Sequence, residues 1–579
     1  MSTPPPPSQP PSGGFGAPQD PPPGGFAPPG PPVPPPAPQQ PPAAPPAQPA
    51  YGYPQPGPAA GPGYGYPQQP GTPPPFGPPT APMYAPQPPA AAAGGGGSND
   101  KRNQLLIVGA ALLAIVLIVG GGIWYTSGDG GSGGTQNTAD GGSGTGAEGD
   151  KAKTGTPGSE KPPSNPKSKT LVNVPSPQPA EVTSVAGSWL TDTTYIKSDV
   201  AKVVGYNLVD GGKKWELPFP GELCGATKHI SDNKTAVLFK ASMPTAEVKY
   251  VPCTEVGVID LNTGKLVWSG NAKGATTGDK PAAYYEVTIS GQTVAAGGTS
   301  GGAAWNLADG KSLWTPKVDG EGCYDTGYAG GEALAAIRKC GRSPNQSVYA
   351  QVLDPATGAP TSSYKLAPGI DYAGIVSTKP LVVAADVGKT AKNATGVSDL
   401  FVVDPKGELK ARISLSSGNF AGRCAATEVE KCTGMVVGDG KLYLPSYEHQ
   451  GQAANGRTNE LLSFDLETGK QTTDRADAGE QYTMVPLRMD GSNIIAYKEP
   501  PYDKGGQIVS IDGRTMKETV LMENPSDKAS RAVETGGFSP EYSEYRYHNG
   551  KLFISRTTVK KPYSEKSDPE YLFVSFTAS

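Results

Sequence analysis

Hydrophobic residues are distributed unevenly along this chain and divide it into three kinds of segment. Residues 1–100 show no periodic apolar pattern, and residues 105–125 form one continuous apolar run. From residue 169 onward, short runs rich in Val, Ile, Leu and aromatic residues alternate with turn residues. One run of about 20 apolar residues predicts a transmembrane helix, whereas short β-rich runs between turns predict strands. The pattern therefore predicts one membrane helix followed by an all-β domain.

The apolar run predicts a transmembrane helix at residues 104–125, with the N-terminus in the cytoplasm. No charged residue lies between Arg102 and Asp129. Lys101 and Arg102 precede the run, whereas the charged residues that follow it, up to Asp150, are acidic. Positively charged flanks stay in the cytoplasm. The alternative, a buried core helix, is disfavoured because the flanking segments offer nothing to pack against. We therefore expect single-pass insertion in the cell membrane and an extracellular C-terminal domain.

The amino-acid composition indicates which regions on either side of the predicted helix can fold. The 579 residues include 78 Gly and 65 Pro. Residues 1–100 are rich in both, so they cannot bury enough surface to offset chain entropy, and we expect a disordered, proline-rich cytoplasmic tail. This tail is either passive or a weak polyproline ligand for a cytoplasmic partner. Residues 126–168 are rich in Gly, Ser and Thr and predict a flexible stalk. Only residues 169–579 remain to form a sizeable core.

A repeated turn motif organises the C-terminal region. Five segments place Asn or Asp four residues before Gly, beginning at Asn207, Asp260, Asn306, Asp354 and Asp465. In the first three, a Trp follows that Gly by four residues: Trp215, Trp268 and Trp314. Altered turns at Asp404 and Asp512 continue the series, and the mean spacing is about 51 residues, which suits a four-stranded propeller blade with its loops. We interpret the three Trp residues as blade-docking side chains.

The strand count predicts an all-β propeller with eight four-stranded blades, although seven remains open. In each unit we name the strands A to D along the chain, and the Asx turn joins strands C and D. Eight C strands are present, but the chain ends after the eighth, so one D strand is missing. Residues 169–174 (KTLVNV) can supply it and close the ring from the N-terminal side.

The repeat resembles that of the pyrroloquinoline-quinone-like (PQQ-like) propeller family, whose blades carry an ALDxxTGxxxW hairpin. The matching segments are residues 258–264 with Trp268, residues 304–310 with Trp314, and residues 463–469. The resemblance covers about residues 180–579 and implies the propeller fold. The family includes quinone-dependent dehydrogenases as well as non-enzymatic scaffolds, so it does not determine the chemistry. The order of tail, helix and outer propeller looks like that of membrane-anchored surface proteins of actinobacteria.

Blade topology also predicts disulfide bonds among the six cysteines. An extracellular domain favours disulfides. The D-to-A and B-to-C loops of a blade emerge on the same face, so cysteines in those loops can meet. The pairs predicted in this way are Cys224 with Cys253, Cys323 with Cys340, and Cys424 with Cys432.

Long B-to-C loops point to a binding surface on the same face. They are expected at residues 243–252, 387–398, 446–458, 499–505 and 557–569, whereas the A-to-B and C-to-D turns are short. Long loops on a rigid scaffold frequently carry function. The candidate ligand-contact residues in these loops are Tyr447, His449, Tyr502 and Tyr563.

These features favour a non-catalytic, membrane-anchored extracellular propeller that binds a protein, peptide or cell-envelope ligand. The chain has no adjacent cysteine pair of the kind that quinone enzymes commonly place over the cofactor, so we expect no cofactor. We interpret the acidic residues Asp319, Glu321 and Asp325 as a solvated loop and not as a Ca²⁺ site. A net charge of −4 without a basic cluster argues against nucleic acid. The alternatives are a quinone-dependent dehydrogenase and a structural, self-associating envelope protein.

Overall fold

The computed structural model describes residues 158–578, except for 343–344, 392–395, 417, 453–455 and 563–568. The predicted tail, the predicted transmembrane helix at 104–125 and most of the predicted stalk lie outside the described residues. Within the described part of the chain, no helix combines the length and apolar character needed to cross a membrane.

The described chain forms a ring of eight four-stranded antiparallel blades, as the repeat predicts. The strands of blades 1 and 2 are Ser188–Leu190, Thr194–Asp199, Lys202–Asn207 and Lys213–Pro218, then Leu223–Ala226, Lys234–Lys240, Cys253–Asp260 and Lys265–Gly270. Those of blades 3 and 4 are Glu286–Ser290, Thr293–Gly297, Ala303–Asn306 and Ser312–Trp314, then Tyr324–Ala329, Leu334–Cys340, Ser347–Leu353 and Pro360–Lys365. Those of blades 5 and 6 are Ala373–Thr378, Leu381–Ala385, Asp399–Val403 and Leu409–Ser414, then Val436–Gly438, Lys441–Pro445, Glu460–Asp465 and Gln471–Asp477. Those of blades 7 and 8 are Thr483–Asp490, Asn493–Glu499, Gln507–Asp512 and Glu518–Glu523, then Ser543–His548, Lys551–Arg556, Tyr571–Ala578 and Ser168–Pro175.

The ring closes through a strand from its N-terminal end. Ser168–Pro175 pairs antiparallel with Tyr571–Ala578 and becomes strand D of blade 8. This confirms the eight-blade count and the closure expected from residues 169–174. The seven-blade alternative is excluded.

The repeated C-to-D turn has the chemistry that the motif predicts. In blade 2, the Asp260 Oδ1 atom accepts hydrogen bonds from the backbone amides of Asn262 and Thr263 and from the Thr263 hydroxyl. Gly264 then adopts φ +66°, a conformation that glycine reaches without strain. The altered turn at Asp512 keeps the same side-chain bonds, but Met516 occupies the glycine position at φ +55°.

The spacing of Gly and Trp that recurs from repeat to repeat is explained by packing. Trp215 from blade 1 lies against Gly264 in blade 2, where any Cβ atom would overlap the indole ring. Trp268 lies in the same way against Gly310, and Trp314 against Gly358. The Trp268 Nε1 atom also donates to the Leu307 carbonyl at 2.9 Å. Each of these rings therefore packs on the turn of the next blade.

The hydrophobic core is divided among the blade interfaces. Eight clusters of buried side chains are present in the described residues, and each joins two successive blades around the ring. Strands B and C are almost completely buried, whereas strand D alternates between exposed and partly buried positions. The core thus stabilises the ring as a whole rather than any single blade.

Four short elements decorate the ring. The helix Lys528–Thr535 lies between blades 7 and 8, and its N-cap Asp527 accepts from the amides of Ala529 and Ser530. Two hairpins pair Arg423–Cys424 with Cys432–Thr433 and His449–Gln450 with Arg457–Thr458, and a two-stranded sheet pairs Thr183–Ser184 with Thr558–Val559 from the other end of the domain.

Trp268→Ala should lower the free energy of unfolding by about 2–3 kcal/mol. The indole is half-buried, so the expected loss is below the ~3–5 kcal/mol typical of a fully buried Trp. Tyr502→Ala is the aromatic control, because the Tyr502 ring is 80% exposed and its loss should cost less than about 0.5 kcal/mol. Urea denaturation of both variants gives the comparison. Equal losses for the two variants would contradict a docking role for Trp268.

Candidate functional site

The two faces of the ring differ in their connections. Within each blade the antiparallel strand order places the B-to-C and D-to-A connections on one face, which we call the long-loop face. Its longest B-to-C connections span 241–252, 386–398, 446–459, 500–506 and 557–570. The opposite face carries the A-to-B and C-to-D turns, and we call it the short-turn face.

The four predicted contact residues have different environments on the long-loop face. Tyr502 is 80% exposed, and His449 is exposed at the base of a small hairpin in blade 6. Tyr447 is half-buried, and Tyr563 lies outside the described residues. Tyr447 and His449 come together in one pocket, whereas Tyr502 lies on the neighbouring blade.

The pocket in blade 6 has a volume of about 380 Å³ and is built around Glu460. The hydroxyl of Ser446 donates to Glu460 Oε2 at 2.7 Å, and His449 Nε2 lies 2.6 Å from Oε1. Arg475 donates to the same Oε1 atom at 3.0 Å. Phe420 and Tyr447 add aromatic surface. The pocket therefore combines an ordered polar network with aromatic walls.

This polar network holds its members in place and does not resemble a nucleophile with its base. Burial would raise the pKa of Glu460, but hydrogen bonds from Ser446 and His449 lower it overall. The pKa of His449 is raised by its hydrogen bond to the Gln450 carbonyl and by the bond to Glu460. Ser446 and His449 both bind the carboxylate, so the histidine does not activate the serine hydroxyl. The arrangement suits recognition better than catalysis.

Exposed aromatic side chains are concentrated on the long-loop face. In the described part of the chain, the exposed aromatic residues are Tyr250, Tyr285, Tyr372, Tyr502 and Tyr542. Two of them lie in B-to-C loops, and the other three directly precede an A strand. All five therefore lie on the same face. Of these five, only Tyr502 was predicted. Tyr250 lies in a loop that was predicted but was not itself named, and the other three lie directly before an inner strand, outside the long loops.

Three disulfides tie the loops of this face together. The structure joins Cys224 to Cys253, Cys323 to Cys340 and Cys424 to Cys432, which are the three pairs predicted from blade topology. In the described residues no cysteine is free. The Cys224–Cys253 bond lies at the end of the loop that carries the exposed Tyr250 and limits its freedom.

The hairpin closed by Cys424 and Cys432 crosses the centre of the ring. It begins at blade 6, and its Glu430 side chain reaches blades 2, 3 and 4. Glu430 Oε1 lies 2.5 Å from His229 Nε2, and Oε2 accepts from the Thr288 hydroxyl at 2.7 Å. The amide of Gly330 donates to Oε1 at 3.3 Å. The hairpin therefore blocks the central channel from the side of the long-loop face.

The environment of Glu430 keeps its carboxylate charged. Burial alone would raise its pKa, but the nearby charges of Lys228 and His229 and the hydrogen bonds from His229 and Thr288 lower it to about 2. The Lys228 Nζ atom lies 3.5 Å from Oε1. A buried carboxylate with this many donors resembles a well-satisfied ion pair.

Glu286, directly beside Glu430, is in the opposite situation. Its Oε2 atom accepts from the Glu430 amide at 3.2 Å, but its buried Oε1 atom has no hydrogen-bond partner in the described residues. Burial raises the pKa of Glu286 well above its usual range, and the charges of Glu430 and Glu428 raise it further. Position 327 is Gly because any Cβ there would overlap Glu286 Oε1.

The carboxylates of the acidic loop near blade 4 are paired with an arginine. Asp319 and Asp325 both form ion pairs with Arg338, at 2.7 and 2.9 Å. Among the described residues, no group of three or more His, Cys, Asp or Glu side chains is arranged to hold a metal ion.

Comparisons with known proteins agree with this architecture. Residues 253–516 match the family model described as "Outer membrane protein assembly factor BamB". No curated protein matches the chain. A europium-containing methanol dehydrogenase is 11% identical, with a TM-score of 0.38 over 72% of this chain and 93% of that chain. The structure described as the eukaryotic initiation factor is 12% identical, with a TM-score of 0.36 over 69% and 92%. Similarities of this size carry no functional argument.

The eight blades, the Asp-to-Gly turns and the docking of Trp on Gly define the domain as a β-propeller of PQQ-like repeats. The match over residues 253–516 fits the same repeat family.

Glu286→Gln should stabilise the protein at pH 7. The folded-state pKa of Glu286 is raised above the unfolded value, so its favourable contribution is complete below about pH 4.5 and is lost as pH rises through the folded pKa. Glutamine imitates the protonated form, so the gain in thermal midpoint should be largest at neutral pH and should disappear near pH 4. Exposed Glu247→Gln is the control and should change little at either pH. A gain that does not depend on pH would contradict this assignment.

Proposed function

We propose that this protein is a non-catalytic binding protein, anchored in the membrane by residues 104–125, whose extracellular propeller binds a partner through the long-loop face. The partner is a protein, a peptide or another component of the cell envelope. The observation that carries the proposal is the concentration of exposed tyrosines on that face.

Exposed tyrosines suit a recognition surface for a physical reason. A tyrosine ring adds a large apolar area with few rotatable bonds, and its hydroxyl can still form a hydrogen bond when the ring is covered. Tyr250, Tyr285, Tyr372, Tyr502 and Tyr542 are between 48% and 80% exposed. They come from blades 2, 3, 5, 7 and 8, so together they extend around most of the face. This favours a partner of protein size over a small molecule.

The loops of the long-loop face are held in place before any partner binds, which also supports the proposal. Ordering a mobile loop when a partner binds costs free energy, so a surface fixed in advance binds more tightly. The disulfides Cys224–Cys253 and Cys323–Cys340 and the Glu460 network each fix loops of this face before any partner arrives.

The point at which the chain enters the propeller also favours the long-loop face as the binding surface. The buried Glu160 binds Arg488 Nη2 at 2.5 Å and His548 Nδ1 at 2.9 Å, and the Asn549 amide donates to it at 3.0 Å. Ser159 donates to Asp490 at 2.6 Å. Asp490, His548 and Asn549 lie at A-to-B turns, so the chain enters the propeller on the short-turn side, which favours the long-loop face for a partner.

The location outside the cell is supported by features of the sequence and by the disulfides. Lys101 and Arg102 before the apolar run favour a cytoplasmic N-terminus. Structural disulfides persist in oxidising compartments. Protease treatment of intact cells tests this part of the proposal: the propeller should be shed or degraded, and an epitope near the N-terminus should be protected.

Replacing residues 446–458 and 499–505 with short Gly-Asn turns should weaken partner binding at least tenfold, about 1.4 kcal/mol, because both loops belong to the proposed surface. The combined change Tyr250→Ser, Tyr285→Ser and Tyr542→Ser should have a similar effect without altering the backbone. The measurement is chemical crosslinking on intact cells, followed by quantification of each crosslinked partner and by titration with the purified partner.

The matched control changes the other face. Val209→Ser and Ile230→Ser replace exposed apolar side chains on the short-turn face, which are 84% and 40% exposed, and should leave binding unchanged. If binding survives the tyrosine changes and is lost with the control changes, the wrong face has been assigned. Thermal midpoints of all variants show whether the ring is intact.

A further inference from the structure

The central channel of the ring contains a cavity. Its volume is about 980 Å³, and it is lined by residues of the inner strands. Glu430, on the hairpin that crosses the channel, forms its inner end. The lining runs from Pro540 and Ser543, at the long-loop end of blade 8, to Asp192 and Lys379, which lie near A-to-B turns, so the cavity extends along the channel between the two faces. This volume lies at the upper end of the range typical of small-molecule sites.

One wall of the cavity is apolar. Val376, Val437, Val485, Leu487 and Met489 line it from blades 5, 6 and 7. Each is only half-buried, although each packs against an interface cluster on its other side. A continuous apolar wall inside a channel is unfavourable in contact with water and favours an apolar ligand group.

The other wall carries an arginine without an acidic partner. Arg546, on the inner strand of blade 8, donates from Nε to the Ser188 carbonyl at 3.0 Å and from Nη1 to the Tyr545 carbonyl at 3.2 Å. In the described part of the chain, no carboxylate lies within 4.0 Å of its guanidinium group. The neighbouring Glu544 is bound instead to Lys197 at 3.0 Å and to the Gly187 amide.

Two other cations of the lining are already paired, whereas Lys379, near an A-to-B turn, forms no ion pair in the described residues. Lys228 faces Glu430 at 3.5 Å, and Arg488 binds Glu160. Two backbone carbonyls satisfy part of the hydrogen-bonding capacity of Arg546 but do not neutralise its charge. Arg546 is on blade 8, beside the part of the apolar wall that belongs to blade 7. Its charge helps to lower the pKa of the neighbouring Glu544, which also interacts with Lys197. The cavity therefore offers a guanidinium that is only partly compensated, next to an apolar wall.

We propose that this cavity binds a small amphipathic carboxylate, with its carboxylate on Arg546 and its apolar body along Val376, Val437, Val485, Leu487 and Met489. Arginine binds carboxylates through charge-assisted hydrogen bonds that a neutral group cannot match. An alcohol of the same length would leave the guanidinium unneutralised, and an alkylammonium would be repelled by it. This site is independent of the partner surface proposed above.

Octanoate is a suitable probe, because it combines one carboxylate with a short apolar chain. Binding is measured by equilibrium dialysis of labelled octanoate against the full chain in lipid nanodiscs. The lipid takes up the same amount of octanoate for every variant, so this background does not affect the comparison between variants. Octanol and octylammonium are the matched probes. We expect saturable binding of octanoate to the intact chain and no saturable binding of the other two.

Arg546→Gln should weaken octanoate binding at least tenfold, and Arg546→Lys should restore part of it. The control is Arg514→Gln, which changes an exposed arginine in a C-to-D turn of blade 7 and should have no effect. Leu487→Trp puts a larger side chain in the apolar wall along which the octanoate chain is proposed to lie and leaves Arg546 in place, so it should also change octanoate binding. This second variant keeps the test decisive if Arg546→Gln does not fold, as judged by its thermal midpoint.

Three results would overturn the proposal. The first is the absence of saturable octanoate binding at millimolar concentration. The second is equal binding of octanol and octanoate. The third is unchanged octanoate binding in folded Arg546→Gln or Leu487→Trp protein. None of these results bears on the partner surface, which is tested by the tyrosine and loop variants.

Discussion

The antiparallel pairing of Ser168–Pro175 with Tyr571–Ala578 joins the two ends of the propeller, and the other parts of the domain depend on it. Each hydrophobic cluster lies between two successive blades, so no blade has a core of its own. An open ring would leave the interface between blades 8 and 1 without the strand that covers it. Leu171, Val172 and Val174 from the closing strand pack on that cluster. Closure therefore converts eight weak units into one cooperative domain.

A closed ring also makes the hairpin across the channel energetically acceptable. Taking a carboxylate out of water costs several kcal/mol unless hydrogen bonds and opposite charges replace the lost hydration. Glu430 receives that replacement from Lys228, His229, Thr288 and Gly330, which come from three different blades. Only a ring of fixed diameter presents these donors at the right separation from Cys424 and Cys432. Glu286 has no comparable set of donors, which explains why two adjacent glutamates have pKa shifts of opposite sign.

The sequence was sufficient to predict the repeating parts of this structure and insufficient for the parts that occur once. The Asx turns, the positions of Trp215, Trp268 and Trp314, the disulfide pairs and the closing strand all follow from spacing, because each depends on contacts within a blade or between neighbours. Glu430 and Glu160 could not be found in this way. Their partners are 100–202 and 328–389 residues away in the sequence, and the identity of those partners depends on the closed ring. The tyrosines that precede the A strands could have been predicted from the sequence, since an aromatic residue before an inner strand recurs at Tyr285, Tyr372 and Tyr542.

The hairpin at the centre of the ring is attached to both of the surfaces proposed here. On the long-loop side, Arg423 at its base forms an ion pair with Glu541, which lies beside the exposed Tyr542. On the channel side, Glu430 forms the inner end of the cavity that contains Arg546. The carbonyl of Val429, between these two points, accepts from the Ile375 amide at 2.7 Å, and Val429 is buried in the interface of blades 4 and 5. Because packing holds Val429 in place, a displacement of Arg423 is transmitted to Glu430 only if Val429 also moves. The disulfide and the Val429 contact therefore fix the hairpin at two points between Arg423 and Glu430.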